Sequence, residues 1–240
     1  KFIDLLKQTG HSHWQMLPLC QTGFGDSPYQ TVCDYSGNPY FIDPEILRSK
    51  KLLTYRETEK YIDKSEKINY ENLYNSRYQM LRLAFSRFDV NCPGFKNFLR
   101  RGQFNDYALF MALKGKFNDS WNNWPTEYKF RNEQALREFE RENKQEILFW
   151  QFVQFEFSEQ FKQLKKYANL KGVKLVGDLP FYLSFDSVDV WANPQYFMLD
   201  ENYKPSLVAG VPPDYFSSTG QLWGNPLYNW AEMEKDGFSW

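Results

Sequence analysis

The sequence predicts an α/β fold with a parallel sheet, because one arrangement of elements occurs twice. Near the start, a helical segment at residues 1–9 ends at a glycine, and the strand-like segment His13–Leu19 follows it. A long helical pattern over Glu133–Asn169 also ends near a glycine, and the β-branched segment Val173–Leu179 follows. Both strands reach a Leu-Pro pair before an irregular loop. Helices that lead into short apolar strands in this way are typical of parallel sheets, with loops at the carboxyl ends of the strands.

The pattern divides the chain into three parts. Residues 1–43 contain the first helix–strand unit and a turn-rich loop, and residues 131–240 contain the second unit and another long loop. Residues 44–130 are polar and show no strand pattern, so we predict a mostly helical insertion there. Within it, Asn69–Phe88 and Phe104–Lys114 have apolar residues spaced three and four apart. The glycine after the second helix is expected to end it.

The segment Val208–Tyr228 is rich in glycine and proline and has neither a helical nor an alternating apolar period. We therefore predict an irregular loop. Loops of this length in compact domains are usually functional or disordered, and disordered segments are poor in aromatic residues. This segment contains Tyr215, Phe216, Trp223 and Tyr228, so we expect an ordered loop over an active site.

The composition excludes several classes of partner. The net charge is -1 and 25% of the residues are charged, which favours neither nucleic acid nor an anionic membrane. No apolar run approaches the roughly 18 residues of a membrane span. Aromatic residues make up 19% of the chain, and exposed Tyr and Trp suit ligands such as sugars, which present an apolar face with polar edges.

The sequence shows no metal or cofactor signature. The three cysteines form no CxxC pair, and the chain does not start with a signal peptide, so we expect reduced thiols and a cytoplasmic location. The two histidines, His11 and His13, are expected to be a surface pair that leads into the first strand. No HExxH or EF-hand spacing is present, and we predict neither a metal site nor a cofactor.

Carboxylates are the remaining candidates for chemistry. Asp26, Asp178, Asp186, Asp189 and Asp214 lie in loops or at a strand end, and glycoside chemistry needs two carboxyl groups. For Asp26, Asp186 and Asp189, capping of a turn is at least as probable an interpretation. Asp178 and Asp214 are the better candidates for ligand contact.

Several side chains of the Val208–Tyr228 segment suit a sugar ligand. Gln221 and Asn225 can hydrogen-bond to hydroxyl groups. Tyr215, Phe216 and Trp223 can stack on pyranose faces. The alternative for Trp223 is a buried anchor of its own loop.

Eight motifs in this order make the chain resemble the amylomaltases, the 4-α-glucanotransferases or disproportionating enzymes of maltodextrin metabolism. The motifs are WQMLPL, TGFGDSPYQ, GNPYFID, DYALFMALK, WNNWP, GDLPFY, DSVDVWANP and VAGVPPDYFSSTGQLWGNPLY. The resemblance covers nearly the whole chain, and its last motif is long enough to be highly specific.

The resemblance implies a (β/α)8 TIM barrel with a helical insertion after its second strand. It implies transfer of an α-1,4-glucan segment to the 4-hydroxyl of another sugar, with retention, through a covalent glycosyl-enzyme on an Asp. Maltooligosaccharides and α-1,4-glucans are the expected partners. Together with the reasoning above, it gives this set of substrate-binding candidates: Ser27, Tyr29, Asp178, Asp214, Tyr215, Phe216, Gln221, Trp223 and Asn225.

The family's catalytic segment is not present in this sequence. Its nucleophile lies in an Arg-x-Asp-His motif, and that Asp and the acid Glu are expected beyond Trp240. We therefore predict part of a barrel, truncated at both ends and inactive alone, and we assign no catalytic residue. We also predict that Asp214–Gln221 is mobile. The alternatives are an α-glucan hydrolase of the same barrel type and a non-catalytic glucan-binding fragment.

Overall fold

The structure is a computed structural model that describes residues 1–23, 25–62 and 66–240. Its first part contains α1 (Phe2–Gln8), β1 (His13–Gln15), β2 (Gln21–Thr22), β3 (Thr31–Cys33) and a 3₁₀ turn at Pro39–Phe41. The middle part contains α2 (Pro44–Ser49), α3 (Tyr55–Tyr61), α4 (Tyr70–Phe85), α5 (Pro93–Arg100), α6 (Asn105–Phe117), a 3₁₀ turn at Trp121–Asn123 and α7 (Thr126–Lys129). The last part contains α8 (Glu133–Glu142), α9 (Lys144–Leu170), β4 (Lys174–Val176), α10 (Val188–Ala192), a 3₁₀ turn at Pro194–Tyr196, β5 (Val208–Val211), β6 (Gln221–Pro226) and α11 (Trp230–Lys235).

The two predicted strands pair with each other in parallel. His13 lies opposite Lys174, and Gln15 lies opposite Val176, so β1 and β4 are in register over their full length. This confirms the parallel pairing expected from the repeated helix–strand unit. The described residues of 44–130 contain helices and no strand, in agreement with the predicted helical character, while the boundaries between the three parts stay a prediction.

The helix predicted at Phe104–Lys114 is longer than expected. Helix α6 passes through Gly115 and ends at Phe117, so the prediction that this glycine ends the helix was wrong. The helix is instead capped by Asn118, whose φ is 48° in the left-handed region. Asn adopts this conformation more readily than other residues that carry a Cβ, and it competes with glycine as a helix terminator.

The single helix predicted over Glu133–Asn169 is two helices. Helices α8 and α9 meet at Asn143, which has φ −110° and ψ 25°. Its side-chain Nδ2 donates to the carbonyl oxygen of Phe139 at 3.0 Å. A short polar side chain that bonds to its own backbone interrupts a helix without changing the apolar period, which is why the period alone missed the break.

The segment Val208–Tyr228 is a β-hairpin rather than an irregular loop. Strands β5 and β6 pair antiparallel, with Gly210 opposite Leu222 and Val211 opposite Gln221. A Cβ built on Gly210 would lie 2.5 Å from the carbonyl oxygen of Gln221, so only glycine fits this crossing. Gly220 has φ +74° where the chain turns back. These glycines hide the alternation that normally predicts a strand.

The core is built largely on α9, which carries Phe149, Phe152 and Val153 into the interior against the other helices. Its Glu156 is fully buried and pairs with Lys50 at 2.7 Å, which ties α9 to the end of α2. No helix among the described residues combines the length and apolarity needed to cross a bilayer.

The N-terminus of α3 is held by a capping box of Thr54 and Glu57, and an acid-sensitive ion pair with Arg87 adds to it. Arg87 donates to both oxygens of Glu57, at 2.7 Å and 2.8 Å, and Thr54 donates to the same carboxylate. The hydrogen bonds from Arg87 and then Thr54 lower the pKa of Glu57 from 4.5 to about 2. The contribution of this carboxylate to stability is therefore present above pH 4.5 and lost as the pH falls through about 2.

We expect the change Arg87→Met to raise the pKa of Glu57 back towards 4.5, because it removes the main donor. An NMR titration of the Glu57 carboxyl carbon measures this directly. Arg137→Met is the control, since Arg137 pairs only with exposed Glu133 on α8. A Glu57 that already titrates near 4.5 in the unaltered chain would contradict the geometry.

Candidate functional site

A cavity of about 430 Å³ opens between the loop after β2, the loop after β4 and strand β6. It is lined by Ser27, Tyr29, Gln30, Pro180, Phe181, Tyr182, Leu222, Trp223 and Asn225. Four of the nine substrate-binding candidates, Ser27, Tyr29, Trp223 and Asn225, therefore meet here. Pockets of this kind, lined mostly by apolar and aromatic side chains with a few converging polar groups, are typical of small-ligand sites.

Asp178 adjoins this cavity through a hydrogen bond with Tyr29. The Tyr29 hydroxyl donates to Oδ2 of Asp178 at 2.7 Å, across 149 positions of sequence. Oδ1 of Asp178 accepts the backbone N–H of Leu179 at 2.8 Å. Asp178 lies two residues after the end of β4, which confirms its prediction as a strand-end residue. The hydrogen bond to Asp178, with a lesser contribution from burial, raises the pKa of Tyr29.

We expect Asp178→Asn to return the pKa of Tyr29 towards its ordinary value, because the charged acceptor is lost. Tyrosine labelled with ¹³C at Cζ, titrated by NMR and assigned with Tyr29→Phe, reports this pKa. Asp214→Asn is the control, because the Asp214 carboxylate accepts only from its own turn. An unchanged Tyr29 titration in Asp178→Asn would show that the two side chains do not interact in solution.

Trp223 presents part of its indole to the cavity. The side chain is 42% exposed, which counts against the alternative of a buried anchor. Its Nε1 donates to Oε1 of Gln221 at 3.1 Å, and its ring lies edge-on to Tyr182, with centroids 5.8 Å apart. Gln221 thus touches the site through Trp223, whose orientation it helps to fix.

Asn225 joins the hairpin to the loop that follows β4. Its Nδ2 donates to the backbone oxygen of Leu183 at 2.8 Å and to that of Tyr182 at 3.4 Å. The side chain is 8% exposed. Because the amide nitrogen is engaged by the backbone, only Oδ1 remains for a ligand, and the first role of Asn225 is to hold two walls of the cavity together.

The remaining candidates lie at the tip of the hairpin, away from the cavity. Tyr215 is 97% exposed and Phe216 is 88% exposed. Oδ1 of Asp214 accepts the backbone N–H groups of Phe216 and Ser217 at 2.9 Å and 2.8 Å, so its carboxylate caps the turn. The structure does not bring these three residues to the other candidates, and the mobility of Asp214–Gln221 stays a prediction.

Two of the three carboxylates interpreted as turn caps have other roles. Asp26 makes a local side-chain contact, since its Oδ1 accepts from the Thr22 hydroxyl at 3.3 Å. Asp186 instead pairs with Lys114 and accepts the backbone N–H of Trp121 at 3.3 Å, which joins the helical insertion to the last part of the chain. Asp189 is 1% exposed. The interpretation as a turn cap was wrong for both Asp186 and Asp189. Their hydrogen-bond partners lie far away in sequence, and for Asp189 the partner is the backbone N–H of Asp34.

The structure also shows site features that the sequence analysis missed. Phe181 and Tyr182 line the cavity, and their place in the loop that follows β4 is the signal that could have identified them. A larger groove of about 1020 Å³ lies beside α4, where Tyr70, Tyr74 and Tyr78 follow one another at every fourth position. The apolar period assigned Tyr74 to the buried side of this helix, yet it is 57% exposed. Phe24, in the motif TGFGDSPYQ, lies outside the described residues.

His11 and His13 form the expected surface pair. Both are exposed, and each makes a hydrogen bond with a neighbouring hydroxyl group.

Comparison with known proteins decides the family. The family model described as 4-alpha-glucanotransferase matches residues 1–240. The chain belongs to the 4-α-glucanotransferase family. It is 45% identical to the 4-α-glucanotransferase of Clostridium butyricum, covering 100% of this chain and 51% of that protein. It is 42% identical to the enzyme of Thermus thermophilus, over 99% of this chain and 49% of that one.

Solved structures of amylomaltases agree with this family. The amylomaltase from Streptococcus agalactiae in complex with acarbose matches with a TM-score of 0.93 and 36% identity, over 100% of this chain and 50% of that one. The amylomaltase from Corynebacterium glutamicum, 19% identical with a TM-score of 0.69, shows the same fold. These matches confirm the resemblance and the α/β fold class. The chain spans about half the length of the 4-α-glucanotransferases that it matches.

Proposed function

We propose that this chain is part of a 4-α-glucanotransferase, which moves segments of α-1,4-glucan from one maltooligosaccharide to the 4-hydroxyl of another. The observation that carries the proposal is the cavity where Tyr29, Trp223 and Tyr182 lie beside Asp178. Membership of the family and the likeness to an amylomaltase that binds acarbose support it. We also propose the (β/α)8 barrel and a cytoplasmic location, as expected from the sequence.

The cavity offers both kinds of contact that a glucan needs. The indole of Trp223 and the ring of Tyr182 provide apolar surface for the faces of pyranose rings. Ser27, Tyr29 and Asp178 provide hydroxyl and carboxylate groups for the sugar hydroxyls at their edges. Leu222, 80% exposed on β6, extends the apolar wall. Where a bound glucan covers these apolar walls and displaces water, an acceptor sugar can compete with hydrolysis.

The reaction needs groups that the cavity does not contain. A retaining mechanism uses two carboxyl groups about 5–5.5 Å apart, one as nucleophile and one as acid. The lining of the cavity has no carboxylate, and Asp178 beside it accepts hydrogen bonds from Tyr29 and Leu179. We therefore propose that this chain contributes glucan contacts, and that the nucleophile Asp and the acid Glu belong to the other half of the enzyme's length.

We expect this chain alone to leave maltotriose unchanged, and the chain extended to the length of its relatives to convert maltotriose into glucose and longer dextrins. Chromatography of the oligosaccharides measures both. The change Asp178→Asn in the extended protein is expected to weaken transfer, while Asp200→Asn, in an exposed turn outside the site, should not. Disproportionation by this chain alone would contradict the proposal.

The same assay separates the alternatives. Glucose and maltose without longer products would indicate an α-glucan hydrolase. Binding of maltooligosaccharides without any turnover by the extended protein would indicate a non-catalytic glucan-binding protein.

A further inference from the structure

A thiol and two carboxyl groups form a cluster where β3 meets α10, outside the lining of the proposed sugar cavity. Cys33 is the last residue of β3, Asp34 follows it, and Asp189 lies in the first turn of α10. The Sγ atom and a carboxylate oxygen of each Asp all lie within 4.8 Å of one another. Among residues 1–23, 25–62 and 66–240, no other three His, Cys, Asp or Glu side chains converge in this way.

One carboxylate oxygen of this cluster lacks a hydrogen-bond partner. Asp189 is 1% exposed, and its Oδ2 accepts the backbone N–H of Asp34 at 3.1 Å. Its Oδ1 is buried and receives no hydrogen bond. Within the described part of the chain, no lysine or arginine forms an ion pair with Asp34 or Asp189. A buried carboxylate without a cation or full hydrogen bonding is costly, so either a bound cation or a proton has to neutralise it.

We propose that Cys33, Asp34 and Asp189 together bind one divalent transition-metal ion of the zinc type. A thiolate and two carboxylates give three anionic donors, and the sulfur favours zinc over the hard cations magnesium and calcium. Zinc binds sulfur at about 2.3 Å and carboxylate oxygen at about 2.0–2.2 Å. Its ligands therefore lie within about 4 Å of one another, and the observed spacing of up to 4.8 Å has to shorten slightly when the ion binds.

The surroundings suit such an ion. Asp34 is half-buried, so the cluster reaches solvent on this side, from which the ion would enter. The Cys20 thiol donates to the backbone oxygen of Asp34 at 2.8 Å and fixes that residue. When the ion binds, the Cys33 thiol releases its proton to solvent and the sulfur becomes the ligand. The ion would join β3 to α10 across 155 positions of sequence, as a structural brace for the first part of the chain.

The test is titration of the reduced chain with Co²⁺ and Zn²⁺ at neutral pH. We expect one equivalent of Co²⁺ to produce a thiolate-to-cobalt charge-transfer band, and saturating Zn²⁺ to displace it and raise the Tm by about 5 °C. Cys33→Ser and Asp189→Asn should lose the band and the Tm shift. Cys92→Ser removes a thiol that lies outside the cluster and should keep both.

Absence of the band in the unaltered chain overturns the proposal, whether or not the variants fold. So does a band that persists in Cys33→Ser. If circular dichroism shows that Cys33→Ser is unfolded, Asp34→Asn, at a half-buried position, provides a second variant. An unchanged cobalt band in Asp34→Asn would also contradict the proposal. An infrared carbonyl stretch from a protonated carboxyl, lost in Asp189→Asn, would then identify a proton shared by the two Asp residues as the neutralising charge.

Discussion

Replacing Gly37 with alanine is expected to destabilise the chain by about 3 kcal/mol. A Cβ at this position would lie 1.9 Å from Cδ1 of Phe157, and the ring belongs to the core helix α9. The backbone of Gly37 cannot move away, because its N–H donates to Gln154 at 2.7 Å and its carbonyl accepts from the same side chain at 3.0 Å. Urea denaturation followed by circular dichroism measures the loss.

Gly115→Ala is the matched control for this change. Gly115 lies inside α6 and a Cβ there would meet no heavy atom within 4 Å. Since glycine costs a helix about 0.5–1 kcal/mol relative to alanine, this variant should be slightly more stable. If Gly37→Ala unfolds at the same urea concentration as the unaltered chain, the close packing of the turn after β3 on α9 is wrong.

Replacing Trp223 with alanine is expected to weaken binding of maltohexaose ten- to a hundredfold, or about 1.4–2.8 kcal/mol. The indole is the largest side chain that lines the cavity, and its loss also frees Gln221, which accepts its N–H. Isothermal titration calorimetry with this chain, or with the full-length enzyme, gives the affinity. Trp223→Phe should recover part of it, because a smaller aromatic face remains.

Trp230→Ala is the control for loss of an exposed tryptophan. Trp230 is 63% exposed at the start of α11 and does not line the cavity, so the affinity should not change. Equal affinities for Trp223→Ala and the unaltered chain would show that the glucan binds elsewhere, with the tyrosine-lined groove beside α4 as the next surface to test.

The elements that the sequence predicted well are those with a local signal. The parallel strands β1 and β4 each follow a helix that ends near a glycine, and that order is visible in the residues themselves. Asp178 was identified because a strand end is a position that can be found by pattern. The family motif predicts Tyr29, while the aromatic composition of its own segment already predicts Trp223, and the structure brings both to one cavity.

Several of the errors have a physical origin in contacts that the local sequence pattern does not record. The pattern did not predict the hairpin of β5 and β6, because Gly210 is required by the close approach of the facing strand's backbone and breaks the apolar alternation. The burial of Asp189 depends on Asp34, and the role of Asp186 depends on Lys114. None of these partners is near in sequence, so neither periodicity nor turn composition could reveal them.

The central claim is that the cavity between the loop after β2, the loop after β4 and strand β6 binds glucan. Titration of the ¹⁵N-labelled chain with maltohexaose, followed by two-dimensional NMR, tests it most directly. We expect the shifts to concentrate in the ranges 27–30, 180–182 and 222–225, which contain the residues that line the cavity, and to include the indole N–H of Trp223. Shifts confined to other surfaces, or none at saturating maltohexaose, would contradict the account.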